Sequence, residues 1–452
     1  MKFKKLINYS KKNSIFILLI FFAFYLLLLA DAFAINVNRT VLPNGLTVLH
    51  SENHNLPIVM VTMIIKSGQT REPDDKAGLA NLTAGLLNEG TKTRTSKDIS
   101  ETIDFIGASL NASAGNDYIT VALSVLKKDL NKGFEIFWDI VLNPIFPQHE
   151  IERKKQLIKG SLKQREEDPS FLAEKAFIKE VFGEHPYSRL IEGSEETIDK
   201  ISRDDILKFH SDNFLPNNSI LSIAGDITQD ELIVLLEKYI SEWKKVELPE
   251  RKPLKFEPYK NKKIVRIDKD ITQANIILGN YGISRDNPDY YAVTVMNYIL
   301  GGGGFASRLM NSIRDEKGLA YDVHSYFAAY KEAGYFQSEL QTKNETANVA
   351  IDEIIRQIIK IRTEKVTEKE LSEAKSYLTG SFPRRLDTTR KIADFLAAIE
   401  FFNLGLDYDK KYMDYINSVT EDDILRVANK YLDPENYILV IIANQSKISI
   451  PQ

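Results

Sequence analysis

The 452-residue chain contains no cysteine. That excludes disulfides, thiol nucleophiles and cysteine-based metal sites, and it leaves the redox compartment open. An excess of positive charge is missing too. The net charge is -4, so no basic field points to nucleic acid. Long hydrophobic runs are confined to one place, Ile15 to Ala30. Lys2, Lys4, Lys5, Lys11 and Lys12 precede that run, and the small-x-small pattern Ala32-Phe33-Ala34 follows it. The pattern predicts a secretory signal peptide cut after Ala34. An uncleaved anchor is the alternative, since about 18 apolar residues nearly span a bilayer. Either way the rest of the chain is expected to be exported, periplasmic or extracellular. Contact with a membrane is expected only if the segment stays uncleaved.

What remains is ordinary globular sequence, 43% hydrophobic and 27% charged. Strand signals open it. Arg39 to Leu42 and Leu46 to Leu49 flank Pro43-Asn44-Gly45, a hairpin turn. Val59 to Lys66 continues in the same vein. The period then changes to helical over Lys76 to Asn88, through Leu79, Leu82, Leu86 and Leu87. Thr95-Ser96 caps a second helix. Tyr118 to Leu126 alternates like a strand, and Gln148 to Glu167 reads as a long helix stopped by Pro169. Residues 247–263 are charged, proline-containing and aperiodic, which marks a linker. The second half then echoes the first. Glu150-Ile151 through Gly160-Ser161-Leu162 matches Glu370-Leu371 through Gly380-Ser381-Phe382, 220 residues later. A duplicated α+β fold follows: two similar domains, 35–246 and 264–452, each a mostly antiparallel sheet with helices on one side.

Gly78 to Thr91 resembles the motif helix of the pitrilysin/insulinase (inverzincin) zinc peptidases. So do Leu42-Pro43-Asn44-Gly45-Leu46, the Glu152-Arg153 helix ending at Asp168-Pro169, His185-Pro186-Tyr187, and Ser307 to Ser325. Their order and spacing cover nearly the whole chain after residue 34. Active members carry H-x-x-E-H on that helix. Two imidazoles at i and i+4 share a helix face and reach one zinc, and the intervening glutamate activates its water. In this chain the first His position is Asn81, the Glu position Ala84 and the second His position Gly85. A third ligand, a glutamate, maps to Ser161, or to Gly160. None of these residues suits zinc or proton transfer. No other ligand cluster is apparent. His50 and His54 lie in a strand end and solvated turn, while His149, His185 and His210 read as surface, packing and helix residues.

Other family features are kept. The resemblance assigns to Arg314 and Tyr321, seven residues apart, the roles of binding substrate backbone and stabilising the oxyanion. It assigns substrate handling to the glycine run Gly301, Gly302, Gly303 and Gly304, which read from residues alone is a flexible turn. It likens Leu110 to Ala114, with Asn111 and Ala112, to an edge strand that lays out an extended peptide. The resemblance thus implies the non-catalytic subunit, half of a clamshell, of an exported heterodimeric peptidase. Zinc is then expected in a homologous partner subunit and none in this chain, with a peptide as substrate. A peptide-binding or structural core protein without proteolytic role is the alternative.

Overall fold

The computed structural model describes residues 35–248 and 261–448. The expected signal segment 1–34 and most of the expected linker, 249–260, lie outside the described residues. No described helix is long and apolar enough to cross a membrane. Residues 37 onward form one compact unit built on two sheets.

The first sheet contains β1 (Asn38–Val41), β2 (Thr47–Glu52), β3 (Ile58–Ile65), β4 (Ser109–Ala114), β5 (Ile119–Leu126) and β6 (Ser219–Gly225), in the order β1-β2-β6-β3-β5-β4. The second contains β7 (Lys263–Asp268), β8 (Gln273–Tyr281), β9 (Ala320–Ala329), β10 (Gly334–Lys343) and β11 (Ile438–Ala443), in the order β7-β11-β8-β10-β9. Without β1 the two orders are the same. Each sheet also has its single parallel pair in the equivalent place, β2 with β6 and β7 with β11. The duplication read from the 220-residue echo is therefore a duplication of topology.

Alternation decides which residues of each strand enter the core. Val59, Val61, Met63 and Ile65 of β3, with Leu221 and Ile223 of β6, face the helices of their own half. Those helices lie on one side, as expected. The other side is closed by a helix from the opposite half. Helix Thr389–Phe401 packs across β3 and β6, and Thr62 donates to Asp394 at 2.6 Å. Arg39 clamps Glu400 of the same helix with two bonds of 2.8 and 2.9 Å. Reciprocally, helix Pro169–Phe182 of the first half packs on β8 and β11. Its Ala173, Phe177, Val181 and Phe182 join Ile277, Tyr335, Ile438, Val440 and Ile442 in one cluster. The exchanged helices start at Pro169 and Thr389, again 220 residues apart. Pro169 does stop the long helix Gln148–Arg165, but it also begins the next. It sits in the first turn, where its missing N–H costs nothing, and Asp168 caps that helix by accepting from Ser170 N–H.

Candidate functional site

The motif helix is short, Leu79–Gly85. Leu79, Leu82 and Ala84 are buried against the first sheet, while Asn81 and Gly85 face a partly open surface. The helix start is held by a buried carboxylate. Glu72 accepts the backbone N–H groups of Gly78 at 3.1 Å and Ala80 at 2.7 Å. Burial outweighs these bonds and raises its pKa to about 7. A carboxyl raised above its unfolded value of about 4.5 stabilises the fold most when protonated. That contribution is present below the unfolded value and is lost as pH rises through 7. Between pH 5 and 8 Glu72 is expected to withdraw about 2 to 3 kcal/mol of stability. Urea unfolding at the two pH values checks this, and Glu72→Gln removes that part of the slope.

The motif helix packs beside the long helix Gln148–Arg165. On that helix Ser161 and Gly160 are exposed, and Lys154 is half-buried. A side chain added at Gly85 meets Lys154, its Cβ falling 2.8 Å from Cε. So an amide, a methyl group, a glycine and a hydroxyl occupy the ligand and base positions, with an ammonium against them. This donor set does not fit zinc: it offers no thiolate, imidazole or carboxylate, and it already carries a positive charge. Among the described residues no three His, Cys, Asp or Glu side chains gather as a metal site. Restoring Asn81→His, Ala84→Glu, Gly85→His and Ser161→Glu is expected to yield weak zinc binding, strengthened when Lys154→Glu is added. Metal titration of the two variants checks it.

The histidines are placed differently from one sequence expectation. His50 is not in a solvated turn. It is buried in β2, with its ring nitrogens 2.7 Å from Gln229 Oε1 and 2.9 Å from Ile227 O. His54 is exposed between Glu52 and Asp226. His149 is exposed; His185 is buried and accepts Tyr187 N–H. His210 reaches Val141 O, and burial lowers its pKa to about 4.

Asn111 and Ala112 lie on β4, which is the edge of the first sheet and pairs only with β5. Asn111 is exposed and Ala112 half-buried. The strand runs beside the motif helix. Its outer edge offers main-chain donors and acceptors to an extended chain.

In the second half Arg314 and Tyr321 are brought together. Arg314 sits in a wide helical turn, Met310–Glu316, and Tyr321 in the first residues of β9. The guanidinium lies 5.0 Å from the Tyr321 ring centroid and 4.6 Å from that of Phe305. It is thus stacked between two aromatic faces. Among the described residues no carboxylate or hydrogen-bond acceptor engages its side chain. Tyr321 is 86% exposed and Phe305 69%. No hydrogen bond or ring contact joins this group to Asn81, Ala84, Gly85 or Ser161 among the described residues.

Phe305 is the functional candidate that sequence reasoning missed. It directly follows the glycine run, and that position is its one sequence signal. Gly301 must be glycine because a Cβ would fall 2.4 Å from Ser325 Oγ, while Gly304 has φ +57°. The run therefore turns tightly past β9 and delivers Phe305 onto Arg314. A cleft of about 310 Å³ adjoins Tyr321, lined by Ser170, Asn275, Asp322, His324 and Glu339 among others. His324 lies 3.0 Å from both Asp322 and Glu339. Hydrogen bonding to Glu339, then to Asp322, raises its pKa against the effect of burial.

Residues 47–195 match the family described as Insulinase (Peptidase family M16), and residues 200–378 match the Peptidase M16 inactive domain. A protein of Rickettsia felis named an uncharacterized zinc protease is 30% identical over 406 residues, covering 87% of this chain and 95% of its own length. The chain belongs to the M16 peptidase family. It is an inactive-type member of that family by its residues. A Helicobacter pylori relative is named a non-peptidase homolog, at 28% identity over 91% of this chain and 94% of its own length. The solved peptidase M16 inactive domain of Pseudomonas fluorescens superposes with a TM-score of 0.85 at 27% identity, covering 92% of this chain and 99% of that one. The Helicobacter pylori structure described as a protease shares the fold at a TM-score of 0.83 and 22% identity, over 90% and 99% of the two chains. The names of M16 relatives differ on activity, and in this chain the replaced residues of the motif helix decide it.

Proposed function

We propose that this chain is the non-catalytic subunit of an exported heterodimeric zinc peptidase. It supplies Arg314 and Tyr321 to a zinc-bearing homologous subunit, which holds the metal and the general base. One observation carries this reading: an arginine held against two exposed aromatic rings, with its guanidinium donors unengaged among the described residues. An arginine that serves only the fold is ordinarily tied to a carboxylate or to carbonyl groups. Here the cation is oriented without being neutralised. Such a group, with a phenol O–H beside it, gains interaction energy as negative charge develops on a scissile carbonyl. Phe305 positions the guanidinium, and the glycine run Gly301 to Gly304 positions Phe305. The peptide is held along β4 at Asn111 and Ala112.

Mixing the chain with zinc-bearing family members from the same source tests the proposal. Cleavage of a quenched fluorescent peptide is expected only from the mixture. Cleavage by the zinc-bearing chain alone at an undiminished rate would sink it. Export follows from residues 1–34. N-terminal sequencing of protein recovered outside the cytoplasm is expected to begin at Ile35, and an intact Met1 to Ala34 would make the segment an anchor.

A further inference from the structure

Where active family members gather ligands around a dication, this chain places a cation of its own. A Cβ built on Gly85 would stand 3.4 Å from Nζ of Lys154, so the ammonium lies over the second ligand position. Lys154 is half-buried, and among the described residues no hydrogen bond or ion pair engages its side chain. Its nearest basic neighbours on the same helix are matched, whereas Lys163, further along, is exposed to water and has no carboxylate partner among the described residues. Arg153 pairs with Glu89 at 2.9 Å and Glu150 at 2.6 Å, Lys155 with Glu152 at 3.9 Å, and Lys159 with Asp199. Lys154 is thus a half-buried ammonium without a counter-charge among the described residues, in a place where water has only partial access. Such a charge favours an anion beside it.

The groups around it have the matching chemistry. Asn81 lies one turn before Gly85 on the same face of the motif helix, and its side-chain amide has no partner among the described residues. Ser161 lies two turns beyond Lys154 on the long helix, exposed and likewise without a hydrogen bond. An ammonium, an amide and a hydroxyl all donate, and these positions hold no carboxylate. The set that replaces a metal site is therefore an anion site. Beside the motif helix runs β4 with its unpaired edge, which can bind a peptide main chain in extended form.

We propose that Lys154 and Asn81 form a carboxylate receptor, which takes the C-terminal carboxylate of an extended peptide lying along β4. An acidic side chain of the peptide carries the same chemistry and is the second source. The inference needs no partner subunit and makes no use of Arg314 or Tyr321, so it can fail without the proposed function failing, and the reverse.

Fluorescence anisotropy with the full, isolated chain tests it. Three N-terminally labelled alanine-rich peptides are used: one with a free C-terminus, one with a C-terminal amide, and one amidated with an internal glutamate. The free acid is expected to bind about tenfold more tightly than the plain amide, as loss of one partly desolvated ion pair predicts. Lys154→Ala is expected to erase that difference, and Lys154→Arg to keep most of it. The Arg variant guards against a loss that merely reflects misfolding. Tight binding of the internal-glutamate amide would support the receptor and assign it to side chains. Equal binding of free acid and plain amide, no binding of any peptide, or an unchanged preference in Lys154→Ala would overturn it.

Discussion

Arg314→Ala is expected to lower kcat of the assembled peptidase by about 10²- to 10³-fold, the range found when one preorganised oxyanion donor is removed. The stacking of Arg314 against Phe305 and Tyr321 fixes its direction, and among the described residues it has no acceptor to satisfy before substrate arrives. Its loss should therefore appear in kcat and kcat/KM together, because the missing interaction belongs to the transition state. Arg314→Lys keeps the charge but loses the planar fork and most of the stacking, and is expected to recover little. Tyr321→Phe removes one donor from a residue that is 86% exposed, so it should change rate without changing the melting temperature. Steady-state kinetics of the mixed subunits, with thermal unfolding as control, checks all three. An unchanged kcat in Arg314→Ala would remove the residue from the chemistry.

Phe177→Ala is expected to cost about 3 to 5 kcal/mol, the usual cost of truncating a fully buried phenylalanine. Phe177 belongs by sequence to the first half, but it is buried on the second sheet among Ile277, Tyr335, Val440 and Ile442. Because each half closes the other's sheet, neither is expected to unfold alone. Urea denaturation followed by tryptophan fluorescence reports the first half, where Trp138 and Trp243 lie in edge-to-face contact. That signal and far-ultraviolet circular dichroism are expected to move to lower urea together. A shift in circular dichroism with an unmoved tryptophan transition would show that the halves are independent.

The exchange itself was not legible in the sequence, and the reason is physical. Periodicity shows that Phe177 and Val181 lie on an apolar stripe, but not which sheet covers it. Proline shows that a helix ends at Pro169, but is equally suited to starting one. Local features fared better. The turn at Pro43-Asn44-Gly45 joins β1 to β2 with Gly45 at φ +86°, as its chemistry demands. The echo between Glu150 and Glu370 foretold the duplicated topology, and the exchanged helices turn out to start at the same offset, at Pro169 and Thr389. Of the candidate site, the substitutions at Asn81, Ala84, Gly85 and Ser161 and the pairing of Arg314 with Tyr321 were legible only through the family resemblance. Phe305 and Lys154 were not. Lys154 acts on Gly85, 69 residues away and adjacent only once the chain is folded, and Phe305 reaches Arg314 only because the glycine run turns the chain back on itself. His50 was misplaced because a strand end and a turn share the same composition, while its two hydrogen bonds come from residues 177 and 179 positions away.

The most direct test is to measure the zinc content of the purified chain and its cleavage of a quenched fluorescent peptide with no other subunit present. The account predicts substoichiometric zinc and no metal-dependent cleavage, because Asn81, Gly85 and Ser161 supply no ligand and Ala84 no base. Stoichiometric zinc, with cleavage that a chelator stops and added zinc restores, would contradict it.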